Sequence, residues 1–272
     1  FCRAYNRKNN EMKGRRRFNL PAPNKRIRRD PLKIEGPRKI LMLSDVHIPF
    51  HDVAAVSAAI DYGRQENATD IWLNGDLLDF YSLSSFEKDP RERRFADELE
   101  MANAFVQAIA EAFPKANIWA KMGNHENRFD RYMTARAPEL LGVPSFSLER
   151  ILTDSGMNVN FVEDWRVARF GKLFVVHGHE IGRGGGGQNP ARWLHLRTQH
   201  SSVCGHFHRT SEFTTKDING KIATSWSLGC LCDLSPDYMQ HNQWNHGFGF
   251  VDLRKTGTFT FQNLRIVDGV VY

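Results

Sequence analysis

Gly123-Asn124-His125-Glu126 follows an apolar run, Ile118 to Ala120, and other short polar patches in the chain stand in the same relation to apolar runs of their own. Asp45-Val46-His47 comes after Ile40 to Leu43, and Gly75-Asp76-Leu77-Leu78-Asp79 comes after Ile71 to Leu73. His177-Gly178-His179 follows Leu173 to Val176, and Gly205-His206-Phe207-His208 follows the shorter Ser202 to Cys204. Each apolar run reads as a β-strand. Ligands of open α/β sheets bind in the crevice beyond the carboxyl ends of strands, so five such endings can meet at one place. Asp, Asn and His gathered there make a candidate metal site. Asp45 and His47 are two apart and point to the same side at a strand end. Asp76 has two oxygens and can bridge two cations, Asn124 offers a neutral carbonyl oxygen, and His177, His206 and His208 add imidazole nitrogens. Hard oxygens mixed with several imidazoles favour manganese, iron, zinc or nickel over magnesium or calcium, without choosing among them.

Working outward, the order from residue 38 is strand, helix, strand, helix, strand, the pattern of an α/β domain. Asp52 can cap a helix from Val53 to about Gln65, in which Val53, Val56 and Ile60 repeat at helical spacing. A long amphipathic helix is expected near Arg91 to Phe113, with Phe95, Leu99, Ala102, Phe105, Val106 and Ile109 on one apolar stripe. Asn127 to Ala137 reads as a helix stopped near Pro138. From Val159 the pattern turns to β: Val159 to Val162, Trp165 to Phe170, Leu173 to Val176, Ser211 to Thr215, Ile222 to Leu228, Phe248 to Leu253 and Thr258 to Gln262, interrupted by a helix from Asn189 to Arg197. Trp72 and Trp119 lie within strands and read as core.

At 272 residues the chain accommodates one α/β catalytic domain, expected over residues 38 to 272, with an extension at residues 1 to 37. Residues 1 to 39 hold fourteen Lys or Arg against Glu11, Asp30 and Glu35, so the net charge of +6 conceals a strongly basic amino-terminal segment and an acidic remainder. That segment, with Pro at 21, 23, 31 and 37 and no apolar period, reads as an arm. Such an arm contacts nucleic acid through phosphates, or is a solvated tail, or folds across the acidic body. No apolar run reaches the length of a membrane span and nothing resembles a secretory signal, so a soluble, cytoplasmic protein without membrane partners is expected. The chain starts at Phe1 rather than Met, from which a removed preceding portion is expected. Cys2, Cys204, Cys230 and Cys232 are too few for a disulfide scaffold and read as reduced. The oligomeric state is not legible.

The Asp-x-His, Gly-Asp-x-x-Asp, Gly-Asn-His-Glu, His and Gly-His-x-His patches, in this order over residues 45 to 208, closely resemble the motifs of the calcineurin-like metallophosphoesterase superfamily. The resemblance covers about residues 38 to 265 and implies a two-sheet β-sandwich flanked by helices. It implies two divalent ions, manganese first, about 3.5–4 Å apart. One would be held by Asp45, His47, Asp76 and His208, the other by Asp76, Asn124, His177 and His206. In that family a metal-held hydroxide attacks phosphorus. His125 matches the acid that protonates the leaving oxygen, and Asp79 the carboxylate that orients it. Glu126 reads as a structural support. Arg128, Arg183 and His179 are candidates for contacting the substrate, and the Gly184 to Gly187 run reads as a lip beside the site. Tyr238, His241, Trp244 and His246 lie in a loop where they could stack a base. After Asp79 come Phe80-Tyr81 in place of the Arg-Gly of the superfamily's protein phosphatases. That departure argues against a protein phosphatase, and the basic arm together with the aromatic loop makes a phosphodiesterase acting on nucleic acid or nucleotides the expected activity. The alternatives are a phosphomonoesterase for small metabolites or phosphoproteins, and a non-catalytic scaffold.

Overall fold

The structure is a computed structural model that describes residues 30–84, 95–153, 158–182, 187–236 and 238–272. Most of the arm, Arg183 and most of the glycine run lie outside the described residues.

The decisive strand is β2, Arg38–Leu43, because its four buried residues serve two cores. Ile40 and Met42 point into one apolar cluster and Leu41 and Leu43 into another. A strand covered on both faces reads as a continuous apolar run, and that is what the sequence has here. β2 pairs in parallel with β3 (Asp70–Leu73), β3 with β4 (Asn117–Lys121), and β4 with β5 (Val159–Val162). On its other edge β2 pairs antiparallel with β11 (Gly247–Leu253), which continues into β12 (Phe259–Val267) and β13 (Val270–Val271). This sheet is seven-stranded, in the order β13-β12-β11-β2-β3-β4-β5.

A second, six-stranded sheet takes in β1 (Leu32–Ile34), β6 (Ala168–Phe170), β7 (Leu173–Val175), β8 (Ser202–Cys204), β9 (Ser211–Lys216) and β10 (Ile222–Ser227), in the order β1-β6-β7-β8-β10-β9. Between the sheets lies a layer built from Ile40, Met42, Trp72, Phe170, Leu173, Val175, Val203, Trp226 and Val251. The opposite face of the first sheet packs against α1 (Val53–Gln65), α2 (Phe95–Ala112) and α3 (Glu126–Arg136), whose Val56, Ala59, Val106, Ile109 and Phe129 join Leu41, Leu43, Ile71 and Leu73. α4 (Leu148–Thr153) follows α3, and α5 (Pro190–Thr198) covers the second sheet through Leu194. Two mixed sheets flanked by helices are the expected sandwich.

One local expectation holds and two differ for plain causes. Asp52 caps α1 as expected, its side chain accepting from Ala55 N at 2.7 Å. Leu32–Ile34, read as part of the arm, pairs with β6 in parallel and so belongs to the sheet. Trp165 to Phe170 was expected as a strand, but Trp165 has φ 61° and the strand begins only at Ala168. Among the described residues no helix is long and apolar enough to cross a membrane.

Candidate active site

Five loops converge at one end of the sandwich, each leaving the carboxyl end of a strand: after β2, β3, β4, β7 and β8. They bring together all seven expected ligands. His47 Nε2 lies 3.1 Å from His208 Nε2 and 3.8 Å from Asp76 Oδ2, and His208 Nε2 lies 3.2 Å from Asp45 Oδ1. On the other side of Asp76, its Oδ2 is 3.2 Å from His177 Nε2, which in turn is 3.1 Å from Asn124 Oδ1. His206 joins Asp76 and His177, with donor atoms close enough for all three to share an ion. Two ligands each about 2.1 Å from one ion would stand roughly 3.0–3.4 Å apart at octahedral to tetrahedral angles, which the separations of 3.1 and 3.2 Å suit and the 3.8 Å from His47 to Asp76 slightly exceeds.

The far nitrogens of the rings are anchored. His177 Nδ1 is 2.8 Å from the Asn74 carbonyl, which can only accept, so the proton sits on Nδ1 and Nε2 is left to the centre. His47 Nδ1 meets Asp79 Oδ2 at 3.2 Å, and His208 Nδ1 faces Cys232 Sγ at 3.9 Å.

The backbone is bent to this purpose. Asp45, His47, Asp76, His206 and His208 all have φ between 50° and 69°, in the left-handed region that non-glycine residues avoid. Two glycines permit the close approach of the loops. Gly75, at φ 93°, would place a Cβ 2.6 Å from His177 Nδ1, and a Cβ on Gly123 would collide with the Asp76 carboxylate. Glu126 is fully buried and accepts from Asp76 N at 2.9 Å, Leu78 N at 3.0 Å and Gly123 N at 2.7 Å, tying the second motif to the third. That is the supporting position expected for it.

Electrostatically the site pulls positive charge inward. Burial disfavours charge on His177, yet Asp76 and Asp45 raise its pKa to about 10, and Asp45 does the same for His208. Burial alone would raise Asp45, but His208 holds it down at about 2, and the neighbouring imidazoles hold Asp76 well below the usual carboxylate range. His206 goes the other way, lowered by burial to about 4, so the protons drawn in by Asp45 and Asp76 are those of His177 and His208, which a divalent cation would displace. The residues present therefore fit a pair of divalent ions sharing Asp76.

His125 stands beside this nest, its Nε2 3.9 Å from Asp76 Oδ2. Asp79 holds it in an unexpected way: His125 Nδ1 is 2.8 Å from the Asp79 carbonyl, whereas the Asp79 carboxylate, 3.7 Å away, is nearer His47. Arg128 donates to the same carbonyl at 2.9 Å and places its other terminal nitrogen 3.0 Å from His125 Nε2. Burial lowers the His125 pKa to about 3; the Asp76 carboxylate opposes that, and His47 and Arg128 add to it.

His179 is committed elsewhere, since its Nε2 meets Asp164 Oδ1 at 2.8 Å and its ring lies 5.4 Å from that of His177. Trp244 packs on the His208 ring at 4.1 Å, with Tyr238 exposed beside it, and His246 Nε2 turns to the Cys232 carbonyl at 2.9 Å. His241 is exposed.

Sequence reasoning missed Asn74, Cys232 and Glu180. Glu180 accepts from His177 N and Gly178 N at 3.1 and 2.7 Å while paired with Lys121 Nζ at 2.6 Å. Despite burial, Lys121 brings the Glu180 pKa down to about 2. The signal that could have found it is its place three residues beyond a ligand. Asn74 had only its position before Gly75 to mark it, and it acts through its backbone.

A profile of the calcineurin-like phosphoesterase family matches residues 38–221, and the chain belongs to that family. Its relatives include the Gene 54 protein of Mycobacterium phage L5, 27% identical over 202 residues, which are 70% of this chain and 77% of that protein. The Gene 54 protein of Mycobacterium phage D29 is 26% identical over 229 residues, 79% of this chain and 88% of that one. Among solved structures, Vacuolar Protein Sorting 29 from Cryptosporidium parvum superposes with a TM-score of 0.45 at 14% identity, covering 86% of this chain and 94% of that one.

Proposed function

We propose that this protein is a two-metal phosphodiesterase that hydrolyses nucleic acid or nucleotides. The observation that carries this reading is the pair of donor sets sharing Asp76, with His125 and Arg128 beside them. Asp45, His47, Asp76 and His208 would hold one divalent ion, and Asp76, Asn124, His177 and His206 the other. Bound there, such ions lower the pKa of water and neutralise charge on phosphoryl oxygens. The mixed donors favour manganese, with iron, zinc or nickel as alternatives.

The chain's own residues supply the rest. Arg128 is held by the Asp79 carbonyl within reach of His125 Nε2, so it can turn its fork onto a phosphoryl oxygen and release that nitrogen. His125, its Nδ1 fixed on the Asp79 carbonyl, presents Nε2 toward the shared carboxylate; that nitrogen accepts from Arg128, so His125 can deliver a proton to the leaving oxygen once Arg128 has turned to the phosphoryl group and Nε2 has taken a proton up. Phe80 is fully buried against Phe95 and Phe129, where the superfamily's protein phosphatases have a clamping arginine, which disfavours a phosphoprotein substrate. Trp244 and Tyr238 supply rings suited to a nucleobase. The basic arm adds phosphate affinity, and deletion of residues 1 to 29, which spares β1, should weaken salt-sensitive nucleic-acid binding.

The test compares purified protein with Mn²⁺ on bis-p-nitrophenyl phosphate, DNA, RNA and cyclic nucleotides against p-nitrophenyl phosphate. Cleavage of diesters, lost in His125→Ala, is expected. Brisk monoester hydrolysis with no diester cleavage would leave a phosphomonoesterase, and full cellular function of His125→Ala would leave a scaffold.

A further inference from the structure

Beyond His179, on the His177 side of the site, stands Trp165. Its backbone is left-handed, at φ 61°, a conformation that is costly for a bulky side chain, yet the residue is 56% exposed and gains little from burial. Such an outlier held in place by its surroundings is a pointer to function. The surroundings here are specific. Trp165 N–H donates to Asp164 Oδ1 at 2.8 Å, and the same oxygen meets His179 Nε2 at 2.8 Å. The other oxygen of Asp164 accepts from Asn127, three residues after Asn124. Asp164 thereby locks Trp165 to the two segments that carry Asn124 and His177. The indole lies 5.2 Å from the His179 ring, which lies 5.4 Å from the ring of His177. On the opposite donor set Trp244 packs directly on a donor ring, 4.1 Å from His208, whereas Trp165 stands one ring further out, beyond His179.

We propose that Trp165 is a specificity-determining platform on which a nucleobase of the substrate stacks, so that the preferred substrate is a nucleoside phosphodiester. This rests on the phosphodiesterase reading. A phosphodiester joined to a nucleoside has a flat, apolar ring within a few bonds of the phosphorus, and aromatic side chains bind any base by its π-face.

The experiment uses the full chain with Mn²⁺ and two chromogenic diesters with the same leaving group, thymidine 5′-p-nitrophenyl phosphate and methyl p-nitrophenyl phosphate. Trp165→Asn keeps a residue that accepts the left-handed backbone, and Trp165→Phe keeps a ring. In Trp165→Asn the ratio of kcat/KM for the nucleoside ester over the methyl ester should fall about tenfold, mainly through KM, and Trp165→Phe should restore most of it. Binding of thymidine 5′-monophosphate, read by calorimetry, should weaken by a similar factor. An unchanged ratio in Trp165→Asn, or a wild-type protein without preference for the nucleoside ester, overturns the platform and leaves the phosphodiesterase standing. A wild-type protein that cleaves neither diester but hydrolyses p-nitrophenyl phosphate overturns both.

Discussion

Five of the seven donor residues pay for their placement with a left-handed backbone, at roughly 1–2 kcal/mol each. Such conformations persist only if neighbouring groups over-determine them, and at Asp76 that group is Glu126, with three backbone N–H groups on one buried carboxylate. Glu126→Ala should therefore weaken Mn²⁺ affinity about 10- to 100-fold by titration calorimetry, although Glu126 is not among the donors. Affinity within twofold of wild type would show that the loops hold themselves. At this scale the sequence was legible for the candidate donors that the fold brings together, because ligand chemistry restricts residue type. It was mute where the backbone acts: the Asn74 and Asp79 carbonyls that fix His177 and His125 carry no residue-type signature.

Among the elements, β4 ends in Lys121, whose ammonium is fully buried on Glu180 just after β7, so one ion pair joins the two sheets beneath the site. Replacing one partner strands the other charge. Lys121→Met should cost about 3–5 kcal/mol in urea unfolding, and adding Glu180→Gln should recover a large part of it. A loss near zero would mean that the pair is already solvated. Element types were readable where periodicity was long, as in α1, α2 and the two-faced run of β2. Short strands were readable where a polar motif followed them, as at Ser202–Cys204, but not elsewhere: Leu32–Ile34 is three residues in a proline-rich, basic context and becomes a strand only because β6 offers an edge. Trp165 failed for the opposite reason, since its β-favouring side chain sits on a turn that Asp164 dictates.

For the molecule as a whole, two sheets and their helices form a frame whose loops at one end gather carboxylates and imidazoles. Ions that bind this folded nest and not the unfolded chain stabilise it by mass action, by about 2.7 kcal/mol at a hundred times Kd. Mn²⁺ should therefore raise Tm by several degrees and a chelator should reverse it, with Asp76→Asn abolishing the response because the shared carboxylate is lost. An equal rise in Asp76→Asn would place the metal elsewhere. The most direct test of the central claim is anomalous diffraction from crystals grown with Mn²⁺. Two peaks about 3.5–4 Å apart are expected, one within the reach of Asp45, His47 and His208, the other within that of Asn124, His177 and His206, with Asp76 touching both. A single peak, or peaks that bypass Asp76, would contradict it.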